Sequence, residues 1–531
     1  MPNHTSVDVA TLRSWLGDGG EIAFLDVREE GQHGAGHPLL AVNLPYSRLE
    51  IDIDRLVPRR SCRVVLIDGG DGVAEKAARR LAGLGYSDIG IVAGGVPEWE
   101  AAGHPLFPST NVPSKAFAEI VEIDRHTPHV TAAELDRIRR EGTRVAVLDS
   151  RTVEEFNRFH VPGAVTCPGA ELVHRFADLV PDPDTLVVVS CAGRTRSIIG
   201  AQSLINAGVP NRVVSLQGGT QAWRLQGLEL ERDTGASLAP VSTAAAAAAR
   251  KLADDVVGRF GVRRIDRATL DGWLGESETR TTYLLDVRTP GEYAAGHLPG
   301  SVSAEGGQLV QAIDRWVGIR GARLVLVDDT GTRAIMTAHW LQQMGWDVVV
   351  LDEPAIGTAG VPPAGGPNAP ALPDVPVIGA AEAAHWLNEG DAAAVAIMPS
   401  GEYRKAHPEG AVWAIRPRLD RLPESVLRAR RVVVFADDPA VGASAAADLA
   451  EIADGAVALL QGGVDGWRAA GQLFAASPND PPDCDRIDYI FWNHDRHAGN
   501  QEAMRAYLRW ETELPGEIAR DGLSGFRLAA V

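Results

Sequence analysis

Only four cysteines occur in 531 residues: Cys62, Cys167, Cys191 and Cys484. No two of them form a C-x-x-C pair. That excludes a disulfide framework and a paired-cysteine zinc site, and it fits a reducing compartment. No run approaches about 18 uninterrupted apolar residues, so no transmembrane helix is expected. Basic charge is short as well: 51 Lys and Arg stand against 70 Asp and Glu, a net charge of −19. Neither nucleic acid nor an anionic membrane surface is expected as a partner. The opening "MPNHTSVDVATLRSWLGDGG" lacks a basic stretch followed by an apolar core. No secretory signal is read there, and the expected location is cytoplasmic.

What the chain does have is repetition. "FLDVREEGQHGAGH" (24–37), "VLDSRTVEEFNRFHVPGA" (147–164), "LLDVRTPGEYAAGHLPGS" (284–301) and "VAIMPSGEYRKAHPEGA" (395–411) share one plan. Each is followed by a β-branched run, a turn and a helical pattern. The spacing is constant: Asp26 to Asp68, Asp149 to Cys191 and Asp286 to Asp328 are each 42 residues, and Ala396 to Ala436 is 40. A Gly-Gly pair follows 26, 27 and 26 residues after the corner in copies one, two and four, with Trp99, Trp223 and Trp467 four residues further on. Fixed spacing of this kind marks a structural repeat of about 100 residues. The chain divides into 1–110, 125–240, 261–358 and 375–476. A helix over 241–260 joins copies two and three, a Pro/Gly-rich linker spans 359–374, and 477–531 form a helical tail. The six consecutive alanines from Ala244 to Ala249 need no function beyond helix propensity.

Within copy two, "RVAVLD", "TLVVVS" and "RVVSLQ" read as strands, and "RTRSIIGAQSLINAG" reads as a helix that stops at Gly208. Continuous Val/Ile/Leu strands alternating with helices predict an α/β fold, a parallel sheet flanked by helices in each copy. The corner residue then lies at the C-terminal end of a strand, where open α/β sheets place their sites.

In copy two that corner reads Ser190-Cys191-Ala192-Gly193-Arg194-Thr195-Arg196-Ser197. Converging turn amides, a helix N-terminus and two arginines all favour a thiolate, so a lowered Cys191 pKa is expected. No histidine pattern for acyl transfer accompanies it.

This constellation resembles the rhodanese sulfurtransferase family. The matching parts are the "LDxR…H.PGA" segment, the "CAGRTRS" loop and the "QGGTQAW" ending, and the resemblance spans nearly the whole chain as four repeats. It implies a five-stranded parallel sheet and a cysteine that carries sulfane sulfur as a persulfide, with no metal or organic cofactor. Cys191 corresponds to the nucleophile, and Ala192, Gly193, Arg194, Thr195, Arg196 and Ser197 to the loop that cradles persulfide and donor. Arg196 matches the arginine common at the sixth loop position. Arg194 stands where many members have Gly. Asp149 and Arg151 correspond to the acid–base pair behind the loop and are read as structural supports. His160 is read as packing, and Glu171 as lining the pocket.

Loop length bears on the reaction. A related phosphatase loop has C-x5-R, whereas Cys191 to Arg196 is C-x4-R. The shorter loop favours sulfur transfer over phosphate hydrolysis. The two arginines point to thiosulfate as donor, through its second charge. The alternatives are 3-mercaptopyruvate and glutathione persulfide. The expected acceptor is cyanide, a thiol or an acceptor protein.

Asp68, Asp328 and Ala436 replace the cysteine elsewhere, so copies one, three and four are expected to be inactive. Copy four has also lost the Asp/Arg pair, with Ala396 and Met398 in its place. An acidic corner residue would fill the anion nest from within. With three of four copies silent, a non-catalytic scaffold or sulfur-relay protein is the reading from another class. Cys167 reads either as a small buried residue or as a resolving thiol. Cys62 and Cys484 read as inert. His494, Asp495 and His497 are too weak a pattern for a metal. The helix from about Gln501 carries Met504, Tyr507, Leu508 and Trp510 on one side and is expected to pack back on the repeats.

Overall fold

The computed structural model describes residues 4–352, 356–357, 372–491, 494, 496 and 499–530. The linker expected at 359–374 falls largely outside them, as do Asp495 and His497.

Four parallel sheets of five strands recur along the chain, with one strand order: first, fifth, fourth, second, third. In copy two these strands are His129–Val130, Val213–Leu216, Leu186–Ser190, Val145–Asp149 and Val165–Thr166. The order puts Leu186–Ser190 at the centre of the sheet, paired on both sides. All five of its residues are buried, as a Val-rich strand covered on both faces should be. The fold class is thus α/β, as the alternating strand and helix pattern predicts.

Helices begin and end where local chemistry says they should. Thr195–Ala207 ends at Gly208, which takes φ 77° and closes the helix with a left-handed cap. The alanine-rich helix runs Thr243–Phe260, with Ser242 accepting from the Ala245 N–H at its start. The tail helix spans Gln501–Asp521 and starts on Asn500, whose side chain accepts from Glu502 and Ala503. Among the described residues, no helix is long and apolar enough to cross a membrane.

The copies gather into two compact units that do not follow chain order. One holds residues 1–12, 23–110 and 363–493, and so joins copies one and four. The other holds 13–22, 111–362 and 494–531, and so joins copies two and three with the tail helix. In the first unit, buried Arg416 of copy four donates to Glu50 at 2.8 Å and to the Tyr46 carbonyl at 3.0 Å. In the second, Arg333 of copy three donates to Glu171 of copy two at 3.0 Å, both fully buried. Gly169 and Gly307 also bring the two backbones of that unit into direct contact.

Candidate active site

Cys191 follows the central strand directly and is 2 % exposed. Its carbonyl accepts from the Thr220 N–H at 2.9 Å, and the Ala192 carbonyl accepts from Gln221 at 3.1 Å. Gly219 makes this possible. It sits at φ 53°, and a Cβ there would lie 2.2 Å from the Cys191 carbonyl oxygen. The Gly-Gly ending of the repeat therefore clamps the corner loop from below. Ser197 donates its hydroxyl to the Arg194 carbonyl at 2.8 Å and also faces the Cys191 sulfur.

Copies one and three show how the same corner is filled when a carboxylate stands there. In copy one the Asp68 carboxylate accepts three backbone N–H groups, from Gly70 at 2.9 Å, Gly72 at 3.1 Å and Ala74 at 3.0 Å. In copy three Asp328 accepts from the Arg333 N–H at 2.8 Å and from the Arg333 side chain at 3.0 Å. The corner is an anion nest at a helix N-terminus, and these two copies fill it with their own carboxylate. In copy four Ala436 leaves the corner apolar, and Asp438 instead caps the next helix through Ala440 at 2.9 Å.

Two expectations about the Cys191 loop need correcting. Burial pushes the Cys191 thiol up, and Asp149 adds to this. Arg196 and the Ser197 donors pull in the other direction and do not overcome it. The expected thiolate-favouring shift is absent because the sulfur is shut away from water, and desolvation penalises the charged form. The second correction concerns the arginines. Arg194 is buried and is gripped by Glu119 at 2.6 and 2.7 Å, and by Glu122. Arg196 is held by Glu155 at 2.6 and 2.8 Å. Burial pushes the Glu155 carboxyl up, but the Arg196 hydrogen bonds and charge bring it down to about 2. Both guanidinium groups are paired within the protein, so neither offers a free second charge to a donor.

The supporting residues sit where a structural role requires. Arg151 donates to Asp149 at 2.8 and 2.7 Å and to the Phe159 carbonyl. The same arrangement recurs as Asp26 with Arg28 and as Asp286 with Arg288, in copies without a cysteine. His160 stacks on Phe156 at 3.7 Å and donates through Nδ1 to its carbonyl at 2.9 Å. His37, His297 and His407 repeat that geometry in the other three copies. A device present in every copy belongs to the fold, not to the chemistry of one. Glu171 does not line an open pocket. It is spent on Arg175 at 2.6 Å and on Arg333. Cys167 is fully buried, and burial with the nearby Glu171 pushes its thiol well above the ordinary range. That fits the small buried residue, not the resolving thiol. Cys62 is buried and Cys484 exposed.

The Rhodanese-like domain model matches residues 8–102, 131–226 and 267–353. The chain belongs to the rhodanese family. The fourth copy lies outside the matched segments, although its sheet has the family's strand order in this chain. This rhodanese is similar over 99 % of its length to a solved structure described as thiosulfate sulfurtransferase from Pseudomonas aeruginosa. The match is 42 % identical, covers 100 % of that chain and has a TM-score of 0.91. It is also 37 % identical over 102 residues to the HTH-type transcriptional regulator Rv0324 of Mycobacterium tuberculosis. That match covers 19 % of this chain and 44 % of the regulator, so the rhodanese spans under half the regulator's length.

The tail helix lies on the helix Val112–Arg125 and reaches the catalytic loop. Thr195 donates to Glu511 at 3.3 Å, and Lys115 sits 5.5 Å from both the Tyr507 and Trp510 rings. The apolar stripe of the tail predicted packing; the polar residue among it, Glu511, was not singled out. Among the described residues no cluster suited to a metal is found.

Proposed function

We propose that this rhodanese is a sulfurtransferase that carries sulfane sulfur on Cys191, with thiosulfate as donor. The observation that carries the reading is the corner itself. Where Asp68 draws three backbone N–H groups onto a carboxylate, copy two has a sulfur atom at the same place in the repeat, with the Ser197 N–H and hydroxyl facing it. Such a nest stabilises the negative charge of a thiolate or persulfide at the moment it forms. The similarity to the Pseudomonas aeruginosa thiosulfate sulfurtransferase supports the donor; the paired arginines do not.

In the first half-reaction the Cys191 thiolate attacks the outer sulfur of thiosulfate. A new S–S bond forms to Cys191, and sulfite leaves with the electron pair of the old bond. In the second, cyanide or a thiolate takes the outer sulfur, and the pair returns to Cys191 as thiolate. The scheme needs no metal or organic cofactor. Arg196, beside the sulfur, lowers the cost of the charge on Cys191 in both halves.

Intact-mass analysis after incubation with thiosulfate tests this. Wild type should gain one sulfur, roughly 32 Da for the covalent intermediate, and lose it on adding cyanide. Cys191→Ser should gain nothing. A Cys191→Ser variant that still turned over thiosulfate would overturn the assignment.

A further inference from the structure

Glu511 is a buried carboxylate with no place in the scheme above. It sits on the tail helix, outside all four repeats, and is 1 % exposed. Its Oε1 accepts from the Tyr507 hydroxyl at 2.8 Å, one helical turn away, and from the Thr195 hydroxyl at 3.3 Å. Its Oε2 has no hydrogen-bond partner among the described residues. That oxygen would lie 3.3 Å from a Cβ on Gly193, in the turn that follows Cys191. Gln221, which anchors the Ala192 carbonyl through its backbone N–H, brings its side-chain amide to 3.4 Å from the same point.

A carboxylate is not left in such a position by packing alone. Burying one costs several kcal/mol unless it is paired and hydrogen-bonded. Here the surroundings are charged: Lys115 and Arg194 are near enough to interact with it, as is Glu119. Arg496 stacks over the Tyr507 ring at 3.7 Å. What the carboxylate does with its two acceptor positions is hold Thr195 and abut Gly193. Thr195 is the first residue of the catalytic helix, and Gly193 is the bend between that helix and the sulfur.

We propose that the tail helix completes the catalytic copy, and that Glu511 is a positioning residue that sets the Gly193–Thr195 turn through Thr195. The turn amides face the sulfur only if the bend keeps its shape, so a tail residue governs the geometry in which charge develops on Cys191. A Cβ at Gly193 would crowd the Glu511 carboxylate at 3.3 Å. This inference rests on the reading of Cys191 as sulfur carrier, but its test does not depend on that reading alone.

The test uses the full chain with Glu511→Ala, Glu511→Gln, Thr195→Val and the Thr195→Val/Glu511→Ala double variant. Two rates are read: alkylation of Cys191 by iodoacetamide, resolved by peptide, and gain of sulfur from thiosulfate by intact mass. Glu511→Ala should change the alkylation rate at least about threefold and slow sulfur loading roughly tenfold, the scale of one lost hydrogen bond to a charged group. Glu511→Gln keeps an acceptor for Thr195 and should stay within about twofold of wild type. Thr195→Val should match Glu511→Ala, and the double variant should be no worse than either single one. Thermal melts separate loop effects from unfolding, and Glu511→Gln supplies the folded comparison. Wild-type behaviour of Glu511→Ala in both assays, or losses that multiply in the double variant, would overturn the proposal. If wild type itself gains no sulfur, the carrier reading fails, while the alkylation rates still decide the role of Glu511.

Discussion

Arg333 donates through its Nε to Asp328 at 3.0 Å, five residues back, the same step that separates Arg196 from Cys191. In copy three the guanidinium and the corner anion belong to one chain segment and satisfy each other. In copy two the guanidinium is in place and the corner holds sulfur. Copy three is therefore a plugged counterpart of copy two, with its nest occupied by its own carboxylate.

If the plug stabilises the loop, Asp68→Asn should weaken the unit formed by copies one and four. An amide keeps one acceptor oxygen but points its NH2 at N–H groups that need acceptors. Urea unfolding should show a loss of about 1–3 kcal/mol. An unchanged midpoint would mean that the carboxylate is not needed there.

Arg333 is the heavier loss. It is fully buried and pairs with Asp328, Glu171, Glu292 and Asp329. Arg333→Met leaves buried Asp328 without its counter-charge and removes one of the two arginines on Glu171. The expected cost is about 3–5 kcal/mol, read as a drop in the melting temperature of the unit that joins copies two and three.

Burial raises the Cys191 thiol above its ordinary value of 9.0. Alkylation of Cys191 should therefore be slow at neutral pH and rise only beyond the range of a free thiol. Arg196→Gln removes the group that pulls the thiol down, and should move the profile further up. Peptide-resolved labelling across pH, with exposed Cys484 as internal reference, measures both. A Cys191 that labels faster than Cys484 at pH 7 would contradict the expectation.

Glu29 in copy one gives a pH dependence of the other sign from the usual carboxylate. Burial, with nearby Asp488 and Glu30, raises it from 4.5 to about 7, against the Ser47 hydrogen bonds that lower it. The folded state thus binds its proton more tightly than the unfolded chain. Stability from this group is fully present below pH 4.5 and is lost as pH rises through about 7. Glu29→Gln should be more stable than wild type at pH 8 and lose that advantage by pH 4.

Cys167 is fully buried, and its backbone N–H donates to the Asp149 carbonyl at 2.8 Å. Cys167→Ala keeps that bond and removes only the sulfur. Sulfur loading should be unchanged, with a stability cost of about 1 kcal/mol for the small cavity. Altered loading, or a Cys167–Cys191 disulfide in wild type on incubation with donor, would restore the resolving role.

Much of this was legible because it is local. The strand before Cys191 and the stop at Gly208 each follow from residues within a few positions of one another, and the Gly-Gly clamp shows as a spacing that recurs at 26, 27 and 26 residues after the corner. The Asp149–Arg151 pair is two residues apart and recurs in copies one and three. The partners of Arg194 and Arg196 were not legible. Glu119 lies 75 residues before Arg194, and Glu155 lies 41 before Arg196. A charge in sequence shows no partner when the partner comes from another element. That is why two free arginines were expected and two paired ones were found.

The sequence alone determined that one fold is repeated, that one copy has a cysteine at its corner, and that the loop around it is short. Spacing and residue type decide those, because backbone hydrogen bonding and side-chain periodicity act over a few residues. Only the tertiary structure decided that copy two packs with copy three and copy one with copy four. It also decided that Cys191 is shut from water and that the tail brings Glu511 to the loop. Buried Arg333, Arg416 and Glu511 are among the polar groups that make such contacts, with partners 162, 366 and 316 positions away. Burial makes such contacts specific, and no periodicity in the chain announces them.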